Sequence, residues 1–111
     1  MSGENPFPQR LRQARIQADL SQRSLGIRVG FDPGSASSRM NHYEKGRHTP
    51  DIETLQRLAD ELNVPLNYFF CTDDLSAELA CLIGRMDSRQ KTLLIQLLRE
   101  TSLIQPSDEV S

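Results

Sequence analysis

Cysteine, histidine and tryptophan are scarce in this chain. Its 111 residues include two cysteines, two histidines and no tryptophan. Cys71 and Cys81 have no partner at metal-ligand spacing, and His42 and His48 stand six positions apart across a predicted helix end, which excludes chelation at i, i+4. A Gly-x-Ser-x-Gly elbow and a glycine-rich phosphate loop are also missing. The sequence therefore predicts no enzyme, no metal site and no cofactor.

Long apolar runs are absent as well. No stretch approaches the roughly 18 residues of a membrane span, and the first residues, Met-Ser-Gly-Glu-Asn-Pro, lack the charged and apolar regions of a signal peptide. The hydrophobic fraction is 37% and the charged fraction 25%, as in folded soluble proteins. With the two cysteines interpreted as small core residues of a reducing compartment, we expect a cytoplasmic protein without a membrane partner.

Charge is divided unevenly between the two halves of the chain. The formal net charge is -2. Residues 1–50 carry eight bases and four acids, a balance of +4, whereas residues 51–111 carry five bases and eleven acids, a balance of -6. A basic half beside an acidic half suits a protein that meets an anionic partner with one face.

Apolar residues recur at helical spacing, with almost no alternation of period two. Five helices are predicted within residues 7–70: one starting near Pro8, one from Ser21 to about Val29, one at 36–44, one capped by Asp51, and one at 66–70. Phe31–Ser35 is rich in turn-forming residues. The first helix is expected to bury a stripe that consists of Leu11, Ala14, Arg15 and Ala18. The fourth is expected to bury a stripe that consists of Ile52, Leu55, Leu58, Ala59 and Leu62.

Two more helices are predicted in a C-terminal segment at 73–104. The first has an acidic cap at Thr72-Asp73-Asp74, and the second is capped by Asp87 or Ser88. The apolar side of the first consists of Leu75, Leu79, Leu82, Ile83 and Met86. Residues 1–6 and 105–111 are expected to be flexible termini. The fold class is all-α.

The predicted helix at 36–44 has a polar face that can meet a nucleic acid. Ser and Asn side chains are short and carry donors and acceptors, so they can reach base edges in a major groove. Gln22 stands in the first turn of the preceding helix, where a phosphate is favoured. Basic residues flank the polar face and can neutralise phosphates. The base-facing candidates are Ser37, Ser38, Arg39, Asn41 and His42, and the phosphate-facing candidates are Gln22, Arg23, Lys45, Arg47 and His48.

Several spaced motifs resemble the Cro/phage-repressor-type (XRE family) helix-turn-helix domains over about residues 9–70. The run Leu11–Gln22 is similar to the family's opening, and Ser21-Gln22-x-x-Leu25-Gly26 to its Ser-Gln-x-x-Leu-Ala motif, with Gly26 in place of Ala. The other two matches are Tyr43-Glu44-Lys45-Gly46-x-x-x-Pro50 and Leu55-x-x-Leu58-Ala59-x-x-Leu62-x-Val64-Pro65. The resemblance implies a five-helix lambda-repressor-like DNA-binding domain, followed here by a C-terminal helical hairpin.

The resemblance also implies roles for individual residues. Arg15 and Glu44 match the family's structural ion pair between the first and third helices, and Gln22 matches its phosphate contact. The candidates on the third helix match the base-reading positions. Twelve residues separate Gly30 from Tyr43, more than is usual in the family. We expect the insertion at Phe31–Ser35, where the amides of Gly34 and Ser35 would offer a further phosphate contact. Asp19 occupies a helix end where the family often has Gly.

The last predicted helix carries an apolar cluster that suits self-association. It consists of Leu93, Leu94, Leu97 and Leu98. Regulators of this kind bind two half-sites about 34 Å apart and need a two-fold partner; packing back on the first domain is the alternative. The leading hypothesis is a homodimeric repressor that binds double-stranded DNA. The alternative is an antitoxin or adaptor whose acidic C-terminal helices bind a partner protein.

Overall fold

Helices account for most of the 5–101 segment, which is the part of the chain that this computed structural model describes. Within it are six α-helices, one 3-10 helix and no strand, and the all-helical prediction is confirmed. The α-helices are α1 (Phe7–Gln17), α2 (Gln22–Arg28), α3 (Ala36–Glu44), α4 (Ile52–Leu62), α5 (Asp74–Gly84) and α6 (Ser88–Glu100), and the 3-10 helix is Leu66–Phe70. The predicted flexible termini lie outside the described residues, except for Asn5 and Pro6.

Helix boundaries follow from side-chain caps. The Ser21 side chain accepts from the amide of Ser24, and the Asp51 side chain from the amide of Thr54, as predicted. Asp87, rather than Ser88, caps α6 and forms a capping box with Gln90. Asp19 has a φ of 60° at the end of α1, which is the left-handed geometry that the family more often gives to Gly.

The described residues fall into two compact units that divide after Cys81, inside α5. In the first unit, α1, α2, α3, α4 and the 3-10 helix share an apolar core. Its aromatic part is centred on Phe7, whose ring lies edge-on to Phe69 with centroids 5.2 Å apart and to Tyr43 at 6.5 Å. The largest fully buried side chains of this core are Leu11, Leu25, Met40, Leu58 and Phe69.

Three expectations from apolar periodicity are wrong. Ile52, placed on the buried stripe of α4, is 66% exposed. On α5 the small residues Ala77 and Ala80 are the buried ones, while Leu75 and Leu79 are exposed. On α1, Arg10 is buried with 4% of its surface exposed, whereas Ala18 is exposed. The other four residues of the predicted α4 stripe are buried, so it is on α5 that the packed side differs from the apolar side.

Arg10 is buried because its guanidinium meets acceptors from three segments of the first unit. Its Nε donates to the carbonyl of Cys71 at 2.9 Å, and its Nη1 donates to Asp74 Oδ1 at 3.0 Å and Gln13 Oε1 at 2.9 Å. The guanidinium also lies over the ring of Tyr68, 5.9 Å from its centroid. These bonds attach the start of α5 to α1.

Gly26 sets the closest approach between α2 and α3. A Cβ built at this position would lie 2.8 Å from the Cβ of Ala36 and 2.9 Å from the Ala36 carbonyl oxygen. Contacts this short to backbone atoms cannot be relieved by turning a side chain. The glycine therefore allows a helix spacing that the alanine usual in the family would not allow here.

We predict that Gly26→Ala destabilises the protein. The helix preference of alanine is worth about 1 kcal/mol, but overpacking costs about 1–3 kcal/mol, and more against backbone. We expect a net loss of about 1–2 kcal/mol, or a fall in Tm of roughly 4–16 °C for a domain of this size. Calorimetry measures the Tm, with Gly34→Ala in the exposed turn as the matched control. Equal Tm values for the two variants would contradict the prediction.

Candidate nucleic-acid interface

α2 and α3 form a helix-turn-helix with a long, hydrogen-bonded turn. Gly30 ends α2 with a φ of 97°, and the amide of Phe31 donates to the Gly26 carbonyl at 2.9 Å. The amides of Gly34 and Ser35 both donate to Asp32, at 3.3 Å to its Oδ2 and 3.0 Å to its carbonyl. The extra residues thus lie in the turn and leave both helices intact. In this conformation the two amides expected to contact phosphate are used within the turn, so that expectation is wrong.

α3 separates a buried side from a polar side. Ala36, Met40 and Tyr43 are buried against the core. The structure brings the five base-facing candidates together on the rest of this helix: Ser37, Ser38 and Arg39 are exposed, and Asn41 and His42 are half-buried. Lys45, Arg47 and His48 follow directly and are exposed, and Arg23 is exposed on α2. The result is a polar surface with cationic residues at its edges.

Arg15 and Glu44 join α1 to the end of α3 by a two-pronged ion pair. Nε of Arg15 donates to Oε2 of Glu44, and Nη2 donates to Oε1 at 3.0 Å. The side chains are only 12% and 2% exposed, respectively. Nη1 of Arg15 donates to the carbonyl of Leu20 at 2.9 Å, just before α2. One guanidinium therefore positions the ends of three helices.

Gln22 extends this network onto the polar surface. Its Nε2 donates to Oε1 of Glu44 at 3.1 Å and to Oδ1 of Asn41 at 3.2 Å. The sequence predicts a phosphate contact for Gln22, whereas in the structure its amide nitrogen donates to two residues of α3. The hydrogen bond also fixes which way the Asn41 amide faces, with its oxygen toward Gln22.

The other flank of α3 is built from rings. The guanidinium of Arg39 lies over the ring of Phe31, 3.8 Å from its centroid. The imidazoles of His42 and His48 are stacked, with centroids 5.0 Å apart and planes at 11°. Beside these side chains lies a shallow cleft of about 250 Å³, which is lined by Arg39, His42, Tyr43, His48 and Thr49. The two flanks of the helix thus present different chemistry.

The sequence did not identify Phe31 as a residue that positions this site, nor Arg10 as a buried residue of the fold. Arg10 falls one turn after Phe7 and one turn before Ala14, on the buried stripe, which was the available indication. Phe31 lies in a segment rich in turn-forming residues, and such a segment does not by itself predict a buried ring.

The leucines expected to self-associate lie on α6, in the second unit. Leu93 and Leu97 are 54% and 56% exposed, and Leu94 and Leu98 are half-buried. No residue of α6 is buried. The apolar side of this helix is therefore open to a further contact.

Within residues 5–101, no cluster of three or more His, Cys, Asp or Glu side chains has a geometry that could hold a metal ion. In the same part of the chain, none of the helices is both long enough and apolar enough to cross a membrane.

Comparisons with known proteins agree on one class of domain. A family model described as "Helix-turn-helix domain" matches residues 9–75. An uncharacterized transcriptional regulator in the ATPase CF(0) region of Rhodospirillum rubrum is 36% identical over 62 residues, which are 56% of this chain. The chain spans about half of that relative's length, namely 54%. The crystal structure of the transcriptional regulator BswR aligns with a TM-score of 0.75 and 38% identity, covering 93% of this chain and 99% of that one.

We predict that Arg15→Met costs about 3–5 kcal/mol of unfolding free energy, because it leaves the buried Glu44 carboxylate without its cation. The double variant Arg15→Met/Glu44→Leu should recover much of that loss, since it removes the buried charge as well. Urea unfolding measures both.

The matched control is Arg57→Met, which breaks the exposed pair with Glu53. Exposed pairs contribute about 0–1 kcal/mol. Similar losses of unfolding free energy for Arg15→Met and Arg57→Met would show that the buried pair stabilises the fold no more than an exposed pair does.

Proposed function

The chain belongs to the helix-turn-helix domain family, and from this premise we propose that it is a transcriptional regulator that binds double-stranded DNA at specific sequences. The observation that carries the proposal is the surface of α3, where five polar or cationic side chains, Ser37, Ser38, Arg39, Asn41 and His42, lie opposite a fully packed side. We place this helix in the major groove, which admits an α-helix and displays a distinct pattern of donors and acceptors for each base pair.

Asn41 is the base-reading residue best supported by its surroundings. The bond from Gln22 holds the Asn41 amide in one orientation, and its oxygen retains a second lone pair. An asparagine amide in a fixed orientation can accept from N6 and donate to N7 of adenine, which is the pairing geometry typical of this side chain. Because Gln22 is bonded in turn to Glu44, the ion pair of the fold supports the reading residue.

The cationic residues around α3 are proposed to contact phosphates. Lys45, Arg47 and His48 directly follow the helix, and Arg23 is exposed on α2. Contacts of this kind place the helix on the duplex and make binding dependent on salt, whereas base contacts provide selectivity. In this assignment Gln22 orients Asn41 in addition to any phosphate contact.

We further propose that the protein acts as a homodimer through α6. Two half-sites about one helical turn apart, roughly 34 Å, require two recognition helices related by a two-fold axis. The exposed Leu93 and Leu97, with Leu94 and Leu98 beside them, supply an apolar surface in the second unit. Repression is the proposed outcome, since occupying an operator requires no contact with polymerase.

The alternative of an antitoxin or adaptor rested on two acidic C-terminal helices. Only α5 is acidic, with Asp74 and Glu78 and no base. α6 carries Arg89, Lys91 and Arg99 against one acid, Glu100. A basic partner is thus favoured by one of the two helices only, and the DNA-binding proposal has the broader support.

The decisive experiment is selection of bound duplexes from a random DNA pool, at low and near-physiological salt. Wild-type protein should enrich a palindromic motif at both salt concentrations. The triple variant Ser37→Ala/Asn41→Ala/His42→Ala should retain helical circular dichroism but no longer enrich the wild-type motif, because three of the five proposed base contacts are gone while the phosphate contacts remain.

The matched control replaces three exposed polar residues elsewhere, Gln17, Gln56 and Asn67, with alanine, and should select the wild-type motif. A triple α3 variant that still selected the same motif would refute the assignment of the recognition helix.

For the dimer, we predict that Leu93→Asp/Leu97→Asp gives a folded monomer in light scattering. Both side chains are more than half exposed, so folding should tolerate the charges, whereas an apolar interface should not. Affinity for the palindrome should fall at least about tenfold, because the second half-site no longer contributes. The control Gln96→Asp places a charge on an adjacent exposed position of α6. A doubly substituted protein that remained dimeric would exclude α6 as the interface.

A further inference from the structure

Phe31, in the long turn, underlies the one arginine of the α3 polar face. We propose that Phe31 is a positioning residue that holds Arg39 in place to read a guanine in each half-site. This inference rests on the proposed function and assigns a task to a residue outside both helices. The turn then contributes to sequence selectivity through the side chain it supports, without touching the DNA itself.

The ring of Phe31 is fixed from behind. It is only 7% exposed and lies edge-on to Tyr43, with centroids 6.1 Å apart. Its backbone amide is bonded to the Gly26 carbonyl at 2.9 Å, which ties the residue to the last turns of α2. The ring is therefore part of the core on one side and a platform on the other.

The central carbon of the Arg39 guanidinium lies over that platform, 3.8 Å from the ring centroid, and from this short separation we infer that the guanidinium stacks by its face. A guanidinium that stacks by its face keeps its N–H donors, which lie in the guanidinium plane, available for other partners. Stacking also removes rotamer freedom before any DNA is bound, so less entropy is lost on binding. An exposed arginine without such support would be a flexible cation.

Guanine is the base that fits this arrangement. Its major-groove edge presents two acceptors, O6 and N7, at the spacing of the arginine fork, and the bidentate pair is the commonest specific contact of arginine. Asn41, on the opposite flank, is oriented by Gln22 in a separate network. Each flank thus has its own reading residue and its own supporting residue.

The test compares selected motifs and competition affinities for wild type, Arg39→Ala, Phe31→Leu and Phe31→Tyr. Wild type should prefer guanine at one position of each half-site. Arg39→Ala should lose that preference, by roughly 5- to 150-fold against the other bases. Phe31→Leu, which keeps an apolar side chain but no aromatic face, should weaken the preference at the same position only. Phe31→Tyr keeps the face and should retain it.

Two further variants separate positioning from folding. Phe31→Met fills similar space without a ring and serves if the leucine variant unfolds. Arg39→Lys keeps the charge but loses the fork, so it should lose the guanine preference while keeping the salt dependence of binding. In an Arg39→Ala background, replacing Phe31 by Leu should change no base preference further.

Three results would overturn the inference while leaving the proposed function in place. One is an unchanged guanine preference in folded Phe31→Leu and Phe31→Met. Another is a loss of affinity for all sequences alike on Arg39→Ala, with the salt slope reduced by about one, because that would make Arg39 a phosphate contact. The third is a wild-type motif without guanine. A wild-type protein that enriched no motif at all would refute both proposals.

Discussion

The Glu44 carboxylate has to be neutralised where it lies, almost completely out of water at the end of α3. Desolvating such a group costs several kcal/mol unless donors surround it. Arg15 supplies two donors from α1 and Gln22 a third from α2. Satisfying one buried charge thus requires α1, the start of α2 and the end of α3 to hold one mutual arrangement. Because Asn41 is bonded to the same glutamine, the geometry of the polar surface depends on that requirement too.

A second constraint operates at the other end of the α2–α3 pair. Gly26 and Ala36 bring the helices close enough that a further methyl group would collide with backbone. The long turn then returns over Phe31, whose ring covers Tyr43 and supports Arg39. The additional residues between the helices are accommodated without disturbing the helix contact, and they add an aromatic surface beside the polar face. Close packing and a longer connection are therefore compatible in this domain.

Much of the fold was predictable because its determinants are local. Short stretches of sequence determine the helix caps at Ser21 and Asp51 and the helix ends at Gly30 and Gly46. The burial of Arg10 was not predictable because the partners that bury it come from distant segments. The Arg10 side chain is buried only because the Cys71 carbonyl and Asp74 reach it. Within the site, the set of polar residues on α3 follows from helical spacing. The bond between Gln22 and Asn41 and the stacking of Arg39 on Phe31 depend on tertiary packing, which periodicity does not describe.

α3 combines positions that are coupled to the architecture with positions that are independent of it. Asn41 accepts a hydrogen bond from Gln22, which belongs to the network that holds the helices together. Arg39 stacks on the ring of Phe31, which is part of the core. Ser37 and Ser38 are exposed and take part in neither contact. Under the proposed function, substitutions at these two serines during divergence would change which site is recognised at little cost in stability. A change at Asn41 or Arg39 calls for a compensating change at Gln22 or Phe31. New specificities should therefore accumulate first at the serines, while the coupled pairs change together or remain as they are.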